Sequence, residues 1–180
     1  MSLKQLRLFN VAAFMVVAIL VAIIFKIQAD KPAPLNKEQI ALINEISTKY
    51  RIDKAQAQMY VKEAYETGKS NKVDPTLILA IIKVESSFQA NAKSKIGATG
   101  LMQVMPNVHK KKFEYYGGVS IAAHPIVNMR VGATILAEYI KHSKGNIRKA
   151  LQAYNGDKKG TKYSIKVLQA KAEFEKVLAV

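Results

Sequence analysis

The chain has no cysteine. That absence excludes disulfides, thiolate metal sites and cysteine nucleophiles, and it suits an exported protein that needs no cross-link, without identifying a compartment. Acid is scarce: 13 Asp and Glu stand against 28 Lys and Arg, a formal charge of +15. Between Glu85 and Glu114 there is no acid at all. No run alternates apolar and polar residues as a strand would, and no segment repeats, which leaves an all-α architecture. The basic residues are scattered apart from Lys110-Lys111-Lys112, and no nucleic-acid motif accompanies them, so nucleic acid is not an expected partner. His109, His124 and His142 show neither metal-ligand spacing nor a shared face, so no metal and no cofactor is implied.

What is present begins with an apolar N-terminus. From Leu8 to Phe25 the only clearly polar residue is Asn10. A helix of that length spans roughly 27 Å, close to the ~30 Å apolar core of a bilayer. Lys4 and Arg7 precede it and Lys26 closes it, which suits an uncleaved inner-membrane anchor or a secretory signal; Lys26 weakens Ile27-Gln28-Ala29 as a cleavage site and favours the anchor. Residues 1–29 are therefore expected to be a membrane anchor or signal segment, and 30–35, with Pro32 and Pro34, a short stiff linker. Without Lys4, Arg7 and Lys26, 25 basic and 13 acidic residues remain, a charge of +12 that would hold the exported part near a polyanion.

Residues 36–180 read as one helical domain. Asn36 with Gln39 forms a capping box for a helix toward Tyr50, Asp53 caps a second that runs to Gly68, and Asp74-Pro75 opens a third that ends near Ser87. Residues 91–100 are small and polar, hence a loop, followed by a short apolar turn, 101–105, stopped by Pro106. Pro125 opens a helix to about Ser143, Asn146 caps one through Tyr154, Gly156 and Gly160 bracket a basic loop, and 163–178 is the last helix.

Within the third helix, Ile78, Ile81 and Ile82 lie seven, four and three positions before Glu85 and share its face. A carboxyl against isoleucines is desolvated, and its pKa rises toward the working pH. Ser94 follows nine residues later, and Gln103 nine after that, between apolar Leu101, Met102, Val104 and Met105. Ala153-Tyr154-Asn155 ends a helix before a glycine.

Together, Glu85-Ser86-Ser87-Phe88 with Ser94, the run from Gly97 to Pro106, Pro125 with Asn128 and Gly132, and Ala153-Tyr154-Asn155 resemble the soluble lytic transglycosylase domain over about Lys72 to Leu178. The resemblance implies a small helical lysozyme-like fold related to goose-type lysozyme. It also implies cleavage of peptidoglycan glycan strands between N-acetylmuramic acid and N-acetylglucosamine, leaving 1,6-anhydromuramic ends, in a bacterial periplasm. It makes Glu85 the single acid and base, with Ser94, Gln103, Met102, Met105, Tyr154 and Asn155 as substrate-binding positions. Ser94 and Gln103 would line the cleft and orient Glu85 or the sugar acetamido group, and Tyr154 would hydrogen-bond near the carboxylate. Met102 equally suits the core, and Asn155 equally suits a helix end. The alternatives are a hydrolytic muramidase on the same fold and a noncatalytic glycan-binding or scaffold subunit of an envelope-spanning assembly.

Overall fold

The computed structural model describes residues 15–25, 34–156 and 161–179. The chain divides into two compact units, Met1–Leu35 and Asn36–Val180. In the first, residues 15–25 are helical (α1), and their large apolar side chains, from Met15 to Phe25, are exposed. The anchor or signal expected over 1–29 and most of the linker fall largely outside the described residues. Among those that are described, no helix is long and apolar enough to cross a membrane.

The second unit holds α2 (Lys37–Tyr50), α3 (Lys54–Asn71), α4 (Pro75–Ser86), the short α5 (Lys110–Glu114), a 3₁₀ turn (Val119–Ile121), α6 (Pro125–His142), α7 (Ile147–Tyr154) and α8 (Lys162–Leu178). Among the described residues every named element is helical, as the sequence predicts, and only two isolated antiparallel bridges, Lys93 with Thr99 and Thr99 with Val104, break the pattern. The predicted caps form. Asn36 Oδ1 accepts from the Gln39 amide at 2.8 Å while Gln39 returns a bond to the Asn36 amide at 3.1 Å. Asp53 accepts from the Ala55 and Gln56 amides, and Asp74 Oδ1 accepts from the Thr76 amide at 2.8 Å with Pro75 at the first helical position. Each bond satisfies an amide that the helix leaves without a partner, an effect of about 1 kcal/mol per cap.

Helix α4 is apolar all round because it is enclosed: Thr76 through Ile82 are all buried, and the helix packs against α3 and α8. It ends in an unusual way. Ser87 and Phe88, neither of them glycine, both take left-handed backbone, with φ of 48° and 65°. Such a conformation costs a non-glycine residue roughly 1–2 kcal/mol. Phe88 offsets that cost, being 1% exposed and packed 4.7 Å from the Tyr50 ring, 6.5 Å from Tyr60 and 6.4 Å from Phe174. Burying such a ring contributes about 1.5–3 kcal/mol. The sharp turn therefore holds, and it stops α4 one residue beyond Glu85.

Candidate active site

Glu85 occupies the last turn of α4 and is half-buried. Its isoleucine neighbours on the same face, Ile78, Ile81 and Ile82, are completely buried, so the carboxyl sits where the core stripe reaches the surface. Its oxygen Oε1 accepts a hydrogen bond from the Tyr163 hydroxyl at 2.6 Å. Burial pushes the Glu85 carboxyl above its ordinary value of 4.5, and the Tyr163 bond, which favours the charged form, pulls it part of the way back. Tyr163 in turn is held far above the usual phenol range, first by burial and then by the adjacent carboxylate. It stays a protonated donor throughout the range in which Glu85 titrates.

Tyr154 is the second phenol of the cluster. Burial raises its pKa well above the usual value, with the Glu85 charge the next cause, so the two groups are electrostatic neighbours. Its hydroxyl, however, donates to the Met102 carbonyl at 2.9 Å rather than to the carboxylate. Tyr154 thereby pins the loop that follows Gly97. Two further side chains tie the same few residues down. The Ser86 hydroxyl, next to Glu85, bonds the Leu101 carbonyl at 2.8 Å. The fully buried Asn128 accepts from the Met102 amide and donates to the Thr99 and Ala122 carbonyls, all at 2.8 Å. Helices α4, α6 and α7 thus grip Leu101 and Met102 in common. Two glycines make room for this: a Cβ on Gly100 would run into the Asn128 carboxamide, and one on Gly132 would come within 2.6 Å of the Met102 sulfur.

The other expected site residues are distributed as follows. Gln103 takes left-handed backbone at φ 45° and uses its amide nitrogen on its own loop, donating to the carbonyls of Ala92 at 3.0 Å and Gly100 at 2.9 Å. Ser94 Oγ accepts from the Ala98 amide at 2.9 Å. The contacts these two make brace the loop; the resemblance implies a further role for both, toward Glu85 or the sugar acetamido group. Met105 is half-buried, and Asn155 is exposed at the C-terminal end of α7. Met102 is fully buried against Gly132. Its side chain is core, the second of the two places the sequence gives it, and it is not available as the substrate-binding position that the resemblance implies.

Tyr163 is absent from the residues that the sequence singles out. Position 163 looks like the ordinary start of the last helix, and its one signal is its place immediately before the buried stripe Ser164, Val167, Ala170 and Phe174. A phenol at the edge of such a stripe is expected to bury its ring and find a partner for its hydroxyl.

A carboxyl in this setting can carry a proton at a pH where an exposed glutamate has lost it, and can take one back after giving it away. No other carboxylate among the described residues perturbs its titration. Glu138 is held by Lys112, Glu173 by Lys83 and Lys49, and Glu175 by Lys171. Asp157 lies outside the described residues. A Tyr163→Phe substitution removes the bond that favours the carboxylate, so the Glu85 pKa is expected to rise further, as measured by carbon NMR of labelled glutamate. An unchanged or lower pKa would show that the phenol has no influence on the charged form.

Comparison with known proteins places these features in context. A profile of the Transglycosylase SLT domain matches residues 62–176, more than half of the chain. A transglycosylase of Enterobacteria phage PRD1 is 37% identical over 84 residues, covering 47% of this chain and 29% of the relative. The soluble lytic murein transglycosylase of Salmonella typhimurium is 34% identical over 97 residues, covering 51% of this chain and 15% of the relative. The crystal structure of an inactive glutamate-to-glutamine mutant of lytic transglycosylase Slt from Pseudomonas aeruginosa superposes with a TM-score of 0.51 at 25% identity, over 65% of this chain and 22% of that one. The chain therefore spans less than a third of the length of each of these relatives.

Proposed function

The chain belongs to the Transglycosylase SLT domain family, and from that premise we propose that it is a peptidoglycan lytic transglycosylase in which Glu85 acts first as acid and then as base. The observation that carries the reading is the half-buried Glu85 carboxyl, raised by burial and held at 2.6 Å by a phenol that does not itself ionise.

Protonated Glu85 donates to the oxygen that joins N-acetylmuramic acid to N-acetylglucosamine, and the bond from that oxygen to the muramic anomeric carbon breaks. The carboxylate left behind is stabilised by the Tyr163 hydrogen bond. Participation of the sugar's 2-acetamido group shields the anomeric carbon and removes the need for an enzyme nucleophile. Glu85 then takes the proton of the muramic 6-hydroxyl as that oxygen closes on the anomeric carbon. The 1,6-anhydro ring forms, the proton given up is recovered, and no water is consumed. Two-carboxylate glycosidases place their acids roughly 5–10 Å apart, and among the described residues burial and Tyr163, not a second carboxylate, shift the titration of Glu85.

In this proposal Tyr154, Gln103 and Ser94 hold the cleft loop in place, with Met105 and Asn155 as the remaining sugar contacts. Residues 36–180 form the catalytic unit. The apolar sequence from Leu8 to Phe25 supports a location for that unit on the periplasmic side of a bacterial inner membrane, near the wall. The names of the relatives, a soluble lytic murein transglycosylase and an inactive Slt mutant in which a glutamate was exchanged, support the same reading.

The test is mass analysis of purified sacculi digested by the chain. The expected products end in 1,6-anhydromuramic acid, one water lighter than the reducing ends left by hydrolysis. Reducing ends alone would replace the transglycosylase with a muramidase on the same fold. The absence of soluble fragments would overturn both.

A further inference from the structure

A cavity of about 310 Å³ opens between α3 and α6 and shares no lining residue with the Glu85 cluster. It lies where two packed helices would ordinarily meet through apolar side chains. Along α3 the lining positions are Glu63, Glu66, Thr67, Ser70 and Asn71, a stripe at helical spacing that is polar throughout. Glu63 is only 5% exposed, and its carboxylate is engaged side-on by Arg130 of α6 at 2.7 and 3.2 Å. Farther along, the Thr134 hydroxyl lies 3.3 Å from Asn71 Oδ1. Two tyrosines from the segment after α5 complete the lining: Tyr115 is 86% exposed, and its ring stands 4.9 Å from that of Tyr116 at 86°.

We infer that this cavity is a noncatalytic binding site for a neutral amino sugar of a glycan strand. The charges select against ions. An anion would meet Glu63 and Glu66, while a cation would have to displace Arg130 from a bidentate partner and approach a chain of charge +15. A neutral ligand rich in hydroxyls and amides meets neither obstacle. The guanidinium, carboxylate, amide and hydroxyl groups on the walls match its donors and acceptors, and their bonds to one another hold them in fixed orientations. An exposed tyrosine ring at the mouth gives the apolar C–H face of a pyranose a surface to cover, at little conformational cost. The volume falls at the lower end of ordinary ligand pockets, which begin near about 300 Å³. The wall as the source of that glycan rests on the activity proposed above; the chemistry of the cavity does not. A second hold on the strand would keep the chain on its polymer while the catalytic cleft releases a product, an effect of raised local concentration.

The experiment measures retention of the full chain on purified sacculi in detergent solution, with Glu85→Gln as the parent so that the polymer is not consumed. In that parent, Tyr115→Ala removes the ring and Ser70→Tyr fills the cavity from an exposed position on α3. Each is expected to weaken retention roughly tenfold, the usual loss for an aromatic anchor. With Glu85 restored, Tyr115→Ala should leave turnover of short soluble glycan fragments within about twofold, the level expected of a surface change away from the chemistry. Retention equal to the parent in both variants would overturn the site. So would a fall in short-fragment turnover that matches the loss of retention, since the residue would then act through the cleft. If Glu85-containing chain releases nothing from any glycan while retention still depends on Tyr115, the transglycosylase reading fails and the second site stands.

Discussion

Glu85→Gln is expected to cut release of muropeptides from sacculi by about 10²–10⁴-fold, the range that a positioned acid and base contributes, and at the same time to raise the melting temperature at neutral pH. The loss follows from the amide, which has no proton to give and no basic oxygen with which to take one back. The gain follows from linkage. Burial raises the folded-state pKa of Glu85 above its ordinary 4.5, so the folded protein binds this proton more tightly than the unfolded chain. The stability that this proton contributes is fully present below the unfolded value of about 4.5, and it is lost as the pH climbs through the raised folded value. Glutamine never ionises and escapes the loss. The variant should therefore melt above the wild type at neutral pH, and the difference should shrink as the pH falls toward and below the ordinary carboxylate range. Melting curves at acidic and neutral pH check the stability, and product analysis checks the rate. A variant that keeps wild-type activity would remove Glu85 from the mechanism. A variant less stable than wild type at neutral pH would contradict the burial argument, leaving Glu85 in a structural role.

Much of the fold was legible because the signals were local. Asp74-Pro75 pairs an amide acceptor with the one residue that lacks an amide, and α4 begins there. Asn36 with Gln39 closes the capping box that their spacing announces. Long-range pairing was harder to see. Gln103 carries the polar group expected beside apolar neighbours, yet its amide bonds Ala92 and Gly100, because its left-handed backbone turns the side chain back on its own loop. Sequence spacing carries no record of that turn. Tyr163 reaches Glu85 across 78 residues, through packing of α8 on α4, and nothing near position 163 announces the contact. Helix α5 carries no such local signal: Lys110, Lys111 and Lys112 conceal a short turn whose single anchor is the buried Phe113.

Asn128 was visible only as one member of a motif, and it carries the second large expected effect. Its carboxamide makes three hydrogen bonds of 2.8 Å, one from the Met102 amide and two to the Thr99 and Ala122 carbonyls, with no side-chain exposure to water. Asn128→Ala leaves all three backbone groups without this partner in a buried setting, and each such group costs about 1–3 kcal/mol. Local relaxation and entry of water into the vacated space reduce the sum, so a destabilisation of about 3–5 kcal/mol is expected. For a unit the size of residues 36–180 that corresponds to a fall in melting temperature of about 10 °C or more. Asn128→Asp separates packing from polarity: it keeps the shape and the acceptor for the Met102 amide but turns the donor into a second acceptor facing two carbonyls. It should be at least as damaging near neutral pH and should partly recover in acid, where a protonated carboxyl regains one donor. Activity should fall in both variants even at temperatures where they remain folded, because Met102 is also the residue that Tyr154 holds and its loop adjoins Ser86. Thermal melts at neutral and acidic pH, together with turnover on short soluble glycan measured well below the melting point, decide the matter. A neutral Asn128→Ala would mean that the loop is held without Asn128, by Ser86, Tyr154, Ser94 and Gln103, and a stable but inactive variant would place the effect of Asn128 on the geometry of the site.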